Sequence, residues 1–481
     1  MDLEASAIIA LQESGFEPKP PSDVLQAAAN SQSQIATIDA DEQVDDLQHL
    51  LWSSIDNRDS RDLDQIAIVE QKPENILRMH VGIADVDCLV PAGSALDAWA
   101  AGNATSVYTG VRVFPMLPEQ LSNNLTSLNE GQERLALVVS YDISPQGDLG
   151  AAQIRHARVC NHKRLDYETL GRWLEGHGDM PAELLEVPNL RQQILLQQEA
   201  SQRLSAERLR RGALDLETTE VRPVLVHGQV VDLEVPHKNP ARLIIENTMV
   251  AANGVIARFL EAHGYTQIQR LVRSPERWDR IIALAAERGV ALPPQADQHA
   301  LAAFLHVQRE NDPLGFAALS LAIVKLLGAS QYEVIHPGEE SGHFGLAVSD
   351  YTHATAPNRR YVDIIVQRQL KAALLNEANP YTELELQAIA QHCSERQQAA
   401  RGIERRVRKI AVSGWVQSHL GQDFMAIVTG VSPKGTFVRL RDKPVEGRVI
   451  KGEQGMDVGE QVHVQLVDFH PERGWIDFVR A

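Results

Sequence analysis

Four aspartates crowd one short stretch of this sequence, "SSIDNRDSRDLDQIAI" (residues 53–68), within nine positions: Asp56, Asp59, Asp62 and Asp64. Asp62 and Asp64 are two residues apart, so on an extended strand their carboxylates share a face, and Asp56 could return to the same point through a turn. Carboxylate oxygens gathered in this way suit Mg²⁺ or Mn²⁺. Two arginines stand where a calcium-binding EF-hand loop needs a ligand and a glycine, which disfavours such a loop. Taken alone, the segment is more simply explained as a solvated acidic loop.

A second segment, "HFGLAVSDYTHATAPNRRYVDIIVQRQLKAAL" (residues 343–374), could hold a phosphate. Pro357 predicts the first turn of a helix, since proline is tolerated there. Arg359 would then lie in that turn, beside unpaired backbone N–H groups and the positive end of the helix dipole. The alternative is an amphipathic helix with solvated arginines. Acids for a metal together with an arginine for a phosphate favour phosphoryl-transfer chemistry.

Composition and charge limit the kind of protein. The chain has 481 residues, 44% hydrophobic and 23% charged, which is ordinary for a soluble globular protein. Its three cysteines have no C-x-x-C spacing, and the acidic N-terminus is no signal peptide, so we expect a cytoplasmic protein without a membrane partner. The net charge is −18, but residues 1–50 hold ten acids and one base, which supply half of it. Basic clusters at 208–211 and 401–409 leave a nucleic-acid partner open.

The elements that must position these residues divide the chain into three parts. Residues 1–46 read as a small or partly ordered acidic lead-in. Residues 47–412 mix strands, among them a hairpin around "SPQGDL", with helices such as "ARLIIENTMVAANGVIARFLEAHG". Residues 418–481 predict five short strands in a small OB-type barrel. The predicted fold class is α+β, a mixed α/β catalytic domain followed by this barrel.

Several blocks together resemble a known family. "SIDNRDSRDLDQ", "HVGIADVD", "TSVYTGVRVFPMLPEQLSNNLTSLN" and "HFGLAVSDYTHATAPNRRYVDIIVQRQLKA" are similar to the catalytic domain of the RNase II/RNase R (RNB) family of 3′-to-5′ exoribonucleases. The C-terminal segment resembles the S1-type OB domain that follows it in those enzymes. The resemblance runs from about residue 50 to 481. It departs at the N-terminus, where no pair of cold-shock OB domains is recognisable.

The resemblance implies a role for each matched residue. Asp56, Asp62 and Asp64 match three of four acids that hold Mg²⁺ at the scissile phosphate, with Mn²⁺ as the alternative metal, and Gln65 takes the fourth position. Arg359 falls on the catalytic arginine. Contacts to the substrate are implied for a tyrosine near the RNA 3′ end, a tyrosine at the terminal nucleotide and a glutamate at the ribose: Tyr108, Tyr167 and Glu246. In the OB domain, stacking and phosphate contacts are expected from Phe424, Phe437, Arg439, Arg441 and Arg448.

The implied function is a Mg²⁺-dependent hydrolysis of single-stranded RNA, with DNA disfavoured, to nucleoside 5′-monophosphates. Three departures bear on it: Gln65 for an acid, Leu216 for an aromatic stacking residue, and Ala356 with Asn358 for the usual serine and isoleucine. Gln65 motivates the alternative, a catalytically weakened RNA-binding protein or adaptor of the same fold. A phosphoesterase of small nucleotides is a third hypothesis. Motifs of NTPases, zincins and serine hydrolases are missing from the sequence.

Overall fold

The computed structural model describes residues 3–38, 44–217, 222–226, 229–234, 238–272, 275, 277–339, 341–432, 435–441, 443, 445–457, 460–470 and 475–481. Its α-helices, in chain order, are α1 Leu3–Glu13, α2 Ser22–Ile38, α3 Ala95–Asn103, α4 Tyr167–Leu174, α5 Glu183–Glu186, α6 Leu190–Arg210, α7 Pro240–Ala262, α8 Trp278–Ala286, α9 Gln298–Asn311, α10 Pro313–Leu327, α11 Tyr361–Leu374 and α12 Glu383–Ser418. Its strands are β1 Asp45–Asp46, β2 Ser53–Asp56, β3 Gln65–Gln71, β4 Leu77–Ala84, β5 Val107–Tyr108, β6 Val113–Phe114, β7 Glu133–Ile143, β8 Leu149–Cys160, β9 Lys163–Asp166, β10 Arg222–Val226, β11 Gln229–Glu234, β12 Gln267–Leu271, β13 Gln331–Ile335, β14 Asp423–Ser432, β15 Gly435–Leu440, β16 Glu446–Lys451, β17 Gln461–His470 and β18 Trp475–Arg480.

A seven-stranded sheet carries the centre of the larger part, in the order β1-β8-β7-β4-β3-β2-β9. Its inner pairs are antiparallel, and β9 adds to β2 in parallel. The predicted hairpin is confirmed as β7–β8. Its turn needs Gly147, which has φ +93° and where a Cβ would lie 2.2 Å from the carbonyl oxygen of Arg203. Strands β10 and β11 also form an antiparallel pair, and residues 227–228 between them lie outside the described residues.

Helices α6, α7 and α11 pack against this sheet and form the main hydrophobic core. In α7, one residue after another is apolar or small and buried, because the helix is enclosed by its neighbours. Within the described residues α7 is the single helix long and apolar enough to cross a membrane, but 72% of its most apolar window is buried inside the protein. It is accounted for as a core helix.

The N-terminal residues 3–38 pack as two helices onto the rest of the protein, although the sequence suggested a partly ordered lead-in. Leu11 and Phe16, in and just after α1, share a buried cluster with Val407 of α12. Val24 and Ala28 of α2 join the main core. The apolar residues of α1 do not form a single stripe along the helix, and for that reason its sequence indicates an amphipathic helix only weakly.

The predicted OB-type barrel is confirmed: β14 to β18 close in the order β14-β15-β16-β18-β17. Phe437 and Arg439 alternate with buried residues along β15 and so lie on the outer face, where Phe437 pairs with Arg448 of β16. Phe424, expected as a stacking residue, instead packs against Trp415 of α12 with ring centroids 5.9 Å apart. It therefore belongs to the junction between helix and barrel.

Candidate active site

The acidic loop lies at the edge of the sheet, between the end of β2 at Asp56 and the start of β3 at Gln65. Leu63 fixes it: the side chain is buried, its N–H donates to Ser127 Oγ over 2.9 Å, and its carbonyl accepts from the Leu128 N–H over 2.9 Å. Asp62 and Asp64 flank this anchor in an extended segment. The loop is thus held in one conformation by buried hydrogen bonds, unlike a solvated acidic loop.

Each of the three aspartates has its own partner. Asp56 Oδ1 accepts from the Asn57 N–H (2.8 Å) and from Ser60 Oγ (2.6 Å). Asp62 Oδ2 accepts the hydroxyl of Tyr108 over 2.8 Å. Tyr108 lies at the end of β5, and this hydrogen bond brings it to the acidic loop.

Asp64 is the buried member of the set, with 3% of its surface exposed. Its Oδ1 accepts the backbone N–H of Asn358 over 2.9 Å. Its Oδ2 lies 3.5 Å from Nε of Arg359, whose side chain is 43% exposed. The arginine therefore touches the acid on one side and stays open to a ligand on the other.

The predicted position of Arg359 in the first turn of a helix is wrong. Pro357 and Arg359 lie in a turn, and α11 begins only at Tyr361. The reason is that Arg360 is extended and pairs with Thr105, while the carbonyl of Arg359 accepts the Ser106 N–H over 3.0 Å. The backbone of Arg359 and Arg360 therefore pairs with the segment that leads to Tyr108. This pairing brings Arg359 close to Tyr108.

Tyr167 follows β9, whose last residue Asp166 is opposite Asp56 in the parallel pair, and begins α4. Burial, and then the negative charge of Asp56, raise the pKa of the Tyr167 hydroxyl, so it remains a neutral donor. The guanidinium of Arg242 lies 4.5 Å from the centre of its ring. Arg242 was missed in the sequence, although it stands four residues before Glu246 on the same face of a helix, which is a usable signal.

Other predicted residues are not brought into this group. Glu246, one turn further along α7, contacts Arg208 Nη2 at 3.3 Å and Lys238 Nζ at 4.0 Å instead. Leu216 packs against the hydrophobic cluster of α8 to α10. Gln65 is half-buried at the first position of β3, opposite Ile83.

The charge of the three carboxylates is poorly compensated. Burial raises the pKa of Asp56 in spite of its hydrogen bonds from Ser60 and Asn57, and repulsion by Asp62 adds a smaller contribution in the same direction. Burial raises the pKa of Asp64 to about 8, in spite of Arg359. Oxygen donors with this excess of negative charge suit a hard divalent cation, whose charge would restore the ionised form. In the described part of the chain, however, no group of three acids, histidines or cysteines already converges tightly enough to hold a metal ion. The residues fit a divalent cation by donor type and by charge.

A cleft of about 560 Å³ opens in front of these residues. Asp62 and Tyr108 line it, together with Asn57, Arg242 and Arg408. In the sequence, Arg408 of α12 was indicated only by the basic cluster at 401–409. The cleft therefore combines acids, the hydroxyl of Tyr108 and arginines, as a site for a phosphodiester requires.

Comparison with known proteins identifies the family of this chain. Residues 44–376 match the RNB domain, and residues 422–481 match the RNase II-type exonuclease C-terminal S1 domain. The chain belongs to the RNB family.

Among its relatives, Ribonuclease R 1 of Lactococcus lactis is 31% identical over 415 residues, covering 84% of this chain and 49% of the relative. Ribonuclease R of Thermotoga maritima is 31% identical over 422 residues, covering 84% and 57%. The chain thus spans about half the length of these relatives. The solved structure of Mycoplasma genitalium RNase R in complex with ribose methylated single-stranded RNA superposes with a TM-score of 0.84 at 21% identity, covering 100% of this chain and 78% of that one. That likeness shows the fold.

Proposed function

We propose that this RNB-family protein is a divalent-metal-dependent 3′-to-5′ exoribonuclease that releases nucleoside 5′-monophosphates from single-stranded RNA. One observation carries the proposal: Asp64 and Arg359, 295 positions apart in the chain, meet at 3.5 Å beside the Tyr108–Asp62 hydrogen bond. Buried aspartates with little compensating positive charge thus lie beside an arginine whose side chain is partly exposed and can contact a phosphate. The related ribonucleases and the RNA-bound Mycoplasma protein support RNA as the substrate.

The proposed reaction is hydrolysis of the terminal phosphodiester. A water oxygen forms a bond to phosphorus, the bond from phosphorus to the 3′ oxygen of the preceding nucleotide breaks, and that oxygen takes up a proton. Arg359 contacts the non-bridging oxygens, where negative charge develops. When bound at Asp56, Asp62 and Asp64, Mg²⁺ or Mn²⁺ supplies Lewis-acid activation of water and phosphate.

The remaining residues position the strand. The neutral hydroxyl of Tyr167 and the adjacent Arg242 offer a donor and a cation to the terminal nucleotide. Glu246 would reach the ribose only by leaving Arg208 and Lys238, and we propose this exchange as the way it favours RNA through the 2′-OH. On the barrel, Phe437 between Arg439 and Arg448 offers a stacking surface with phosphate contacts.

The test uses 5′-labelled single-stranded RNA and DNA of the same sequence, with Mg²⁺ or with EDTA. We expect progressive 3′ shortening of the RNA alone, lost with EDTA and in Asp64→Asn. Asp59→Asn, which removes a charge from an exposed position of the same loop, is the control and should keep most of the activity. Chromatography of the released product should show 5′- and not 3′-monophosphates.

Two results would contradict the proposal. Tight binding of RNA without shortening in Mg²⁺ or Mn²⁺ would favour the alternative of an RNA-binding adaptor. Equal activity on free dinucleotides and long RNA, unaffected by loss of the barrel surface in Phe437→Ala, would favour a phosphoesterase of small nucleotides.

A further inference from the structure

A second groove lies away from the candidate active site, between α12, the β12–β13 pair and the end of α10. Its cavity volume is about 980 Å³, larger than that of the acidic cleft, and the two share no lining residue among the described ones. Its walls are polar, with glutamine, serine, arginine and lysine side chains in the majority. A groove of this size and polarity is not explained by the chemistry of the site described above.

A buried arginine stands at the inner wall of this groove. Arg270, on β12, is 3% exposed, and its guanidinium carbon lies 4.4 Å from the centre of the Tyr332 ring. Its Nη1 is buried, yet it donates no hydrogen bond to any residue that the structure describes. A buried charged donor that finds no acceptor among the described residues is costly, and a ligand in the groove would supply one.

Arg270 is not paired with an acid among the described residues. Burial first, and the neighbouring charges of Arg401 and Arg360, lower the pKa of Arg270 to about 10. Arg360 is itself neutralised by Asp363, with Nε and Nη2 at 2.8 and 2.7 Å from the carboxylate. Arg270 has no comparable acid among the described residues.

One face of α12 supplies the opposite wall. Six residues spaced alternately by four and three positions fall on a single helical face and line the groove: Gln387, Gln391, Ser394, Gln398, Arg401 and Arg405. Arg401, Arg405 and, from α10, Lys325 make no ion pair with a described residue. The acids on the walls are Glu333 and Glu395, and the latter accepts the amide of Gln391 over 2.9 Å.

We propose that this groove is a binding site for a phosphate-bearing ligand. Arg270 provides the buried contact, Arg401 and Arg405 provide charge at the mouth, and the amide and hydroxyl side chains provide hydrogen bonds to the rest of the ligand. A purely structural Arg270 would explain the stacking on Tyr332. Within the described part of the chain, it would explain neither the buried Nη1 without an acceptor nor the basic side chains opposite, which have no ion-pair partner.

The test is equilibrium dialysis of the full chain against radiolabelled inorganic phosphate, AMP and a 2′-O-methyl RNA oligonucleotide, at low ionic strength with EDTA. We expect about one equivalent of ligand. The double variant Arg401→Gln/Arg405→Gln should weaken binding about tenfold or more. Arg280→Gln/Arg288→Gln, with the same change of net charge at exposed positions outside the groove, should change it less than about threefold.

Further arms separate the sources of the phosphate and the two sites. Groove-dependent binding of phosphate or AMP assigns a free anion or mononucleotide, and groove-dependent binding of the oligonucleotide alone assigns a strand; both support the proposal. Binding must persist in Arg359→Ala and must fall in Arg270→Met that circular dichroism shows to be folded. No saturable binding up to ~10 mM, or equal losses in both double variants, would overturn it. Because nothing is hydrolysed and no metal is present, failure here leaves the proposed exoribonuclease untouched.

Discussion

Two clusters of three aspartates lie at opposite ends of α11 and differ in how their charge is compensated. At the N-terminal end, Asp56, Asp62 and Asp64 face Arg359. At the C-terminal half of the helix lies a second group, here called the distal network: Asp85, Asp87 and Asp97 with Arg368, Lys371 and His156. In the distal network Lys371 Nζ is 2.6 Å from Asp85 and 3.0 Å from Asp87, and Arg368 bridges Asp87 and Asp97 at 2.6 and 2.8 Å.

Asp85 of the distal network and Asp64 of the acidic loop are both buried, but their pKa values shift in opposite directions. Burial alone would raise the pKa of Asp85, but Lys371 and His156 lower it well below its ordinary value of 3.8. Burial raises the pKa of Asp64 to about 8, because Arg359 alone cannot compensate it. Each aspartate of the distal network pairs with a basic side chain, whereas among the described residues Asp64 alone of the three loop aspartates has an ion-pair partner, Arg359. Burial of an aspartate is therefore not enough to indicate a functional site. Burial without sufficient compensating positive charge, as at Asp64, does indicate one.

The largest expected effect on activity comes from replacing Arg359, the arginine that pairs with Asp64. Arg359→Ala should lower the rate of RNA hydrolysis by about a thousandfold or more, ~4 kcal/mol, since an arginine that stabilises a phosphoryl transition state contributes that much. Thermal stability should change much less than activity, because the side chain is 43% exposed and Asp64 is its one ion-pair partner among the described residues. Single-turnover rates on labelled RNA provide the measurement.

Arg359→Lys is the matched control for that change. It keeps the charge but loses the planar pair of donors, so its rate should lie between those of the wild type and the alanine variant. An alanine variant within tenfold of the wild type would place the chemistry elsewhere.

In the distal network the same kind of change should act on stability. Asp85→Asn removes the main partner of Lys371, which keeps only Asp87, and should lower the free energy of unfolding by about 3 kcal/mol. RNA hydrolysis per folded molecule should be unchanged. Urea denaturation followed by circular dichroism measures the first quantity, and activity below the transition measures the second.

Asp85→Asn/Lys371→Met should recover part of the lost stability, because no unpaired charge is left behind. A variant that stays as stable as the wild type, or that loses activity while folded, would remove the distinction between the clusters.

In metal-free protein, Asp64→Asn should raise the free energy of unfolding, whereas Asp85→Asn should lower it. The folded-state pKa of Asp64 is raised, so its contribution to stability is fully present below 3.8 and is lost as pH rises through about 8. Replacing it by a neutral isostere should therefore increase stability in EDTA by at least ~1.4 kcal/mol at pH 7, and hardly at all at pH 4. Thermal midpoints between pH 4 and 8 measure the difference. Added Mg²⁺ should raise the midpoint of the wild type alone, and a variant less stable than the wild type at pH 7 would contradict the idea of an undercompensated site.

Local patterns allowed much of this architecture to be predicted. The β7–β8 hairpin follows from its turn residues, α7 from its apolar spacing, and the barrel from its short strands. The start of α11 was mispredicted because Pro357 favours a first turn only where no tertiary partner claims the backbone, and here Thr105 pairs with Arg360. Tertiary pairing overrode local preference.

The site divides in the same way. The acids and Arg359 stand in recognisable motifs, so the resemblance identified them. Arg242 over Tyr167, and Phe424 turned toward Trp415, depend on contacts between distant segments. The distal network was even harder to predict from the sequence. Asp85 and Lys371 lie 286 positions apart, and neither stands in a motif that suggests the other. Compensation of charge, which separates the two clusters, is visible only in the folded chain.

Gln65 offers the smallest and sharpest test of the comparison. It is the residue after Asp64, half-buried where β3 begins, and a carboxylate there would add negative charge to a cluster that already lacks compensation. Gln65→Asp should lower the half-saturating Mg²⁺ concentration by up to ~tenfold, because metal affinity rises with ligand charge. It should also lower the thermal midpoint in EDTA, the pattern expected of an added acid without a counter-ion. Gln65→Asn shortens the side chain without adding charge and should do neither. If both variants shift the Mg²⁺ dependence equally, the effect is steric, and the group of metal-binding acids ends at Asp64. If Gln65→Asp alone shifts it, Gln65 lowers the metal affinity of this chain and stabilises its metal-free fold.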